Sequence, residues 1–153
     1  MKTLKTLAIV TSITVYALIA IGGYVTGAGE GLSGGTDWPI PKDGIYPTPV
    51  SFAEYLHRAW TIVVSIFIVL TAVVAWKAKK ETGLSVPLAA TLALVLLVIQ
   101  VPLGMVVLKS GLHAVVVTFH LSIATGIFGA TLATAVLTLN KTQKIRASKK
   151  NEF

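Results

Sequence analysis

The sequence predicts an all-α integral membrane protein: a four-helix antiparallel bundle with both termini inside and one long outer loop between helices 1 and 2. Three observations carry this. The 153 residues are 54% hydrophobic and only 12% charged, whereas soluble domains carry about 25% charged residues. Four apolar stretches, at about 7–26, 52–76, 84–108 and 114–139, each reach the roughly 20 residues needed to cross a hydrocarbon core. The basic residues also segregate. With four spans, Lys2, Lys5, Lys77, Lys79, Lys80, Lys141, Lys144, Arg146, Lys149 and Lys150 fall on one side, and only Lys42, Arg58 and Lys109 on the other. The positive-inside rule makes the first side cytoplasmic. The acids Glu30, Asp37, Asp43 and Glu54 lean outward.

Lys2 and Lys5 ahead of the first stretch resemble the start of a signal peptide. The apolar run exceeds the usual h-region of about 7–15 residues and no A-x-A-like site follows, so it reads as a span. Residues 27–51 form the long outer loop, with Gly27, Gly29, Gly31, Gly34, Gly35 and Gly44 and with Pro39, Pro41, Pro47 and Pro49. Such composition means turns and irregular backbone, with Trp38 and Tyr46 as interfacial anchors. A connector of this length is either flexible or a lid over the outer end of the bundle. The connections near Lys77–Gly83 and Lys109–Leu112 are short, which makes spans 2, 3 and 4 antiparallel neighbours. Pro102 is expected to kink span 3. Gly126, Gly129, Ala130 and Ala133 allow close packing of span 4. Residues 1–140 read as one transmembrane domain, and 141–153 as a frayed basic tail suited to anionic lipid.

The net charge of +7 does not indicate nucleic acid, because the basic residues sit at the ends of apolar runs rather than along one face. The absence of cysteine excludes disulfides, thiolate metal sites, Fe–S clusters and covalent haem attachment.

Two of the three histidines fall at matching depths. His57 lies some five residues into span 2, and His120 some six into span 4. Ionisable side chains in a bilayer tend to face a partner, a cavity or a cofactor. Two imidazoles across a bundle suit bis-histidine ligation of a haem b. The alternative is a core pair hydrogen-bonded to carbonyls, and zinc is disfavoured because further ligands at this depth are missing. His113 precedes His120 by two turns and points the same way, nearer the surface, as an accessory or gating residue. Glu54, His57 and Arg58 share one helix face. The plain reading of that trio is an interfacial ion pair between Glu54 and Arg58, with His57 merely polar. A haem-free transporter, with Glu54 and Gln100 lining a polar path, is a further alternative.

Ile21-Gly22-Gly23-Tyr24-Val25-Thr26-Gly27-Ala28-Gly29 with Asp37-Trp38-Pro39, then Glu54-Tyr55-Leu56-His57-Arg58, then Gln100-Val101-Pro102-Leu103-Gly104 leading to His120-Leu121, give the chain a resemblance. In order and spacing it resembles the heme A synthase family, membrane enzymes of cytochrome oxidase biogenesis. The resemblance implies that His57 and His120 are axial ligands of the haem iron. It implies that Glu54 is the catalytic carboxylate and that Arg58 partners Glu54 or a haem propionate. The implied reaction oxidises the C8 methyl of heme O through a hydroxymethyl group to the formyl of heme A, with haem b and/or heme O as the bound haem. The implied partners are heme O, the lipid bilayer and either heme O synthase or oxidase assembly components; the implied place is the plasma membrane, with the haem site towards the outside. A non-catalytic haem b electron carrier is the alternative.

Two departures from the family pattern are visible. The cysteine pair that many bacterial members carry in the first outer loop is missing. Typical members have eight spans in two halves, each with a histidine pair, and this chain resembles one half, like the compact form in some archaea. A homo-oligomer, with a dimer favoured, would restore two sites.

Overall fold

In a hydrocarbon medium a long apolar run can satisfy its own backbone only as a helix or a closed barrel, and the computed structural model is helical. It describes residues 1–150 apart from 43, 45 and 47, so Asp43 and Pro47 lie outside the described residues, as do the side chains of Arg146, Lys149 and Lys150. The helices are α1 (Lys2–Gly27), α2 (Phe52–Lys77), α3 (Lys79–Thr82), α4 (Ser85–Lys109) and α5 (Ala114–Lys150). Among the described residues there is no strand. Four of the helices are long and apolar enough to cross a membrane, so the chain is a multi-pass four-helix membrane bundle.

α1 packs against α2 and α5, and α4 packs against α5 and α2. The bundle is therefore a square in which α2 and α5 occupy opposite corners. The short connections predicted from sequence do make α2, α4 and α5 successive neighbours. The single turn α3, ended by Gly83 at φ +74, occupies what the sequence reads as a plain loop. α4 runs through Pro102 without a break.

The core lies away from the end that carries the 28–51 segment. Val15, Val64, Ile68, Ala93, Leu97, Ile127 and Ala130 form one buried cluster at mid-depth, and Leu4, Ala72, Ala75, Val86 and Ala90 form another nearer the N-terminus. Small residues dominate both, as expected where helices must approach closely because lipid gives no hydrophobic drive. Threonines complete this end. Thr11 and Thr71 hydroxyls meet at 2.7 Å between α1 and α2. Thr134, Thr138 and Thr142 of α5 are buried, and each donates to the carbonyl four residues back.

That threonine row explains a difference from the sequence-based expectation, in which the span ends near 139 and the residues beyond it fray. Thr142 extends the buried row by another turn, and the helix continues to Lys150. Its 37 residues give about 55 Å at 1.5 Å per residue, well beyond a ~30 Å hydrocarbon core.

Candidate functional site

His57 sits on the second turn of α2 and its ring lies against α1. A Cβ built on Gly22 would stand 2.8 Å from Cε1 and 3.2 Å from Nδ1 of His57, so only glycine fits there. His120 sits on α5 with its ring beside α4, where a Cβ on Gly104 would fall 3.4 Å from its Cε1, close to ordinary contact. At one level, then, two opposite corners carry histidine and the other two carry glycine.

Gln100 is one turn from Gly104 on α4. Its Nε2 lies 3.1 Å from the backbone oxygen of His120 and 3.2 Å from Nε2 of the ring. One turn deeper than His57, the indole of Trp60 donates to the Thr14 carbonyl at 3.1 Å, closing the α1–α2 seam beneath the histidines. Nδ1 of His57, Nδ1 of His120 and Oε1 of Gln100 are buried without a hydrogen-bond partner. Buried polar atoms are nearly always paired, so three orphans at one level require an explanation.

Glu54 lies one turn nearer the surface than His57 and is 3% exposed. Oε1 takes Nε of Arg58 at 3.0 Å and also Nη2 of the same guanidinium. Oε2 takes the Gly34 amide at 2.7 Å; the Ser33 hydroxyl lies 3.3 Å from it, but its one proton goes to the Glu30 carbonyl at 2.7 Å. The Arg58 Nη1 donates in turn to the carbonyls of Asp37 at 2.7 Å and Pro39 at 3.2 Å. The ion pair expected from the i,i+4 spacing is formed, and it also ties residues 33–39 to α2. Gly31 completes the strap: a Cβ there would meet the Leu112 side chain at 2.9 Å, so the segment reaches the α4–α5 connection. The long segment thus lies across the histidine end.

His113 is not drawn into this arrangement. It is exposed, just ahead of α5, and its backbone amide donates to the Ser110 hydroxyl at 3.2 Å. The sequence reading missed the packing roles of Gly22 and Gly104 and the contacts of Ser33 and Gly34. The first two could have been found by asking what lies at histidine depth on the other helices.

These residues fit a haem better than a resident metal ion. Among the described residues no group of three or more His, Cys, Asp or Glu could hold a metal. A haem asks for two imidazoles, and α2 and α5 supply one each from opposite corners of the bundle. Fold and site together define a polytopic membrane protein with a paired-histidine site beneath a tethered loop. Residues 47–152 match the family of cytochrome oxidase assembly proteins, and the chain belongs to that family.

It is similar to the heme A synthase of Bacillus pumilus (strain SAFR-032), 28% identical over 92% of this chain and 46% of that protein. The heme A synthase of Listeria welshimeri is 27% identical over 95% of this chain and 49% of its own length. That of Bacillus licheniformis is 28% identical over 94% and 48%. The chain therefore spans about half the length of the curated relatives it matches. No solved structure matches it.

Proposed function

We propose that this chain works in heme A synthesis, converting the C8 methyl of heme O to the formyl group of heme A through a hydroxymethyl stage. The observation that carries the reading is the histidine pair, His57 and His120, on opposite corners of a bundle from this family. The two histidines would hold the haem iron, and the haem supplies the oxidative chemistry. The chain's own residues orient and enclose. Gly22 leaves room for the His57 ring, Gln100 holds His120, Trp60 closes the seam beneath, and the 30–42 strap covers the end. Glu54 is the proposed catalytic carboxylate, fixed in place by three N–H donors one turn above His57, where it can favour positive charge developing at the oxidised carbon. Arg58 is the proposed partner of a propionate, sharing its guanidinium with Glu54.

The basic asymmetry supports a plasma-membrane topology with the histidine end outside. A homodimer would supply the second site that the relatives' greater length suggests, and oxidase assembly components and heme O synthase are the proposed neighbours. A non-catalytic haem b carrier is the second reading, favoured by one observation: the Glu54 carboxylate is fully engaged in holding Arg58 and the strap.

Purification in detergent after expression in cells that make heme O tests both. Bound haem with a low-spin bis-histidine spectrum is expected, with heme A or its hydroxymethyl precursor in the extract. Glu54→Ala should retain haem and stall the product. Haem-free protein that takes up none on reconstitution sinks the ligand assignment, whereas unmodified haem in every extract leaves the carrier.

A further inference from the structure

Gln100 is a primary amide in the membrane interior with one end partnered and the other not. An amide there is costly and calls for a reason. A backbone carbonyl can only accept, so the Gln100 atom 3.1 Å from the His120 oxygen must be its NH2 nitrogen. The second N–H of the same group is left for the ring atom Nε2, at 3.2 Å. That ring atom must then offer a lone pair. A neutral imidazole has one N–H and one lone pair, so the proton belongs on Nδ1, the His120 ring atom that has no partner.

We infer that Gln100 is a positioning residue for His120: its amide N–H holds the Nε2 lone pair and fixes the ring, so that the lone pair is kept free of a proton for the iron the histidine would hold. The iron half of this rests on the proposed function; the tautomer half does not. An unfilled ligand atom in an apolar bundle would otherwise be a lone buried acceptor on a ring free to turn away. Holding it with a neutral donor keeps the lone pair available, because an N–H bond to it is exchanged far more cheaply than a covalently bound proton. When the lone pair passes to a metal, the Gln100 amide has to swing aside, because a nitrogen 3.2 Å along that lone pair leaves no room for a metal in between. The rival role is interhelical: Gln100 would be a hydrogen-bonded strut between α4 and α5, indifferent to which ring nitrogen carries the proton.

The two roles separate by chemistry at nearly constant shape. Gln100→Glu, ionised at alkaline pH, offers acceptors only, so an Nε2–H would be drawn to it and the ligating lone pair consumed. Gln100→Leu offers neither. The test uses the haem-free full chain in detergent with 15N-labelled histidine. There are three histidines, so His57→Gln and His113→Gln versions assign the signals. Long-range 1H–15N spectra should show His120 as the Nδ1–H tautomer in the parent chain, a mixture of tautomers in Gln100→Leu, and the Nε2–H tautomer in Gln100→Glu. Titration with iron protoporphyrin should then give a Gln100→Glu protein that binds about 10-fold more weakly, the effect of a misdirected buried hydrogen bond, while Gln100→Leu stays within about 3-fold.

His120 found as the Nε2–H tautomer in the parent chain overturns the inference without any variant having to fold. So does a tautomer unmoved in both variants, which the strut role predicts. A parent chain with the expected tautomer that never takes up haem overturns the proposed function and the iron half with it, leaving the hydrogen-bond assignment standing.

Discussion

The ring of His57 is oriented by an atom that is not there. Gly22 lacks the Cβ that would stand 2.8 Å from His57 Cε1, and the next residue, Gly23, has nothing within 4 Å of the equivalent position. The pair is an internal control. Gly22→Ala should turn or displace the His57 ring, at a cost of about 1–3 kcal/mol as in other overpacked sites, and should shift or abolish the haem absorbance in the purified protein. Gly23→Ala should leave the spectrum unchanged. Equal spectra for both variants would show that ring placement does not depend on α1. The sequence makes the histidines legible through depth alone, since counting residues along a helix gives height directly. It does not reveal what each ring leans on, because that depends on which helices are neighbours, and a chain of four spans can be arranged in more than one way.

At the scale of elements, the outer segment is the part that sequence describes worst. Glycine and proline announce turns between 27 and 51 but not where those turns go, because their hydrogen bonds end on residues far along the chain. Glu54 and Arg58 are legible as an i,i+4 pair, yet their reach to Ser33, Gly34, Asp37 and Pro39 is tertiary. That reach gives a prediction. Arg58→Ala leaves Glu54 short of two donors and frees the carbonyls of Asp37 and Pro39. Breaking a largely buried pair costs about 3–5 kcal/mol in other proteins, and here the strap should absorb that loss first. Limited proteolysis in detergent should cut between residues 33 and 42 faster than in the parent chain, with the four long helices intact. Cutting at an unchanged rate would mean that the strap is held from elsewhere. The length of α5 is a second lesson of the same kind: hydropathy ends it near 139, but the threonine row that carries it onward is polar by composition and buried by position.

Across the whole molecule the packing is graded. The buried clusters and the threonine seams close the end that holds the N-terminus, and the histidine end is covered mainly by the strap. All four spans, and the adjacency of spans 2, 3 and 4, were legible from length, apolarity and short connections, because lipid leaves the backbone few choices; the place of span 1 against α2 and α5 was not. Copy number is a property of the assembly. The proposed homodimer predicts that cross-linking in membranes, followed by mass measurement of the detergent-solubilised particle, will give twice the 16.1 kDa chain mass. A particle of one chain that still makes product would remove the need for a second copy.

The position of His57, five residues past the start of α2, has an electrical meaning as well. That is roughly 7–8 Å at 1.5 Å per residue, or about a quarter of a ~30 Å core. A full crossing costs about 2.3 kcal/mol per charge for each 100 mV, so a charge brought to this depth from the strap side works against only about a quarter of the membrane voltage, near 0.6 kcal/mol for each 100 mV. Charge exchanged between the histidine level and the strap side is thereby only weakly coupled to the membrane voltage, whereas charge exchanged with the opposite side would cross the remaining three quarters.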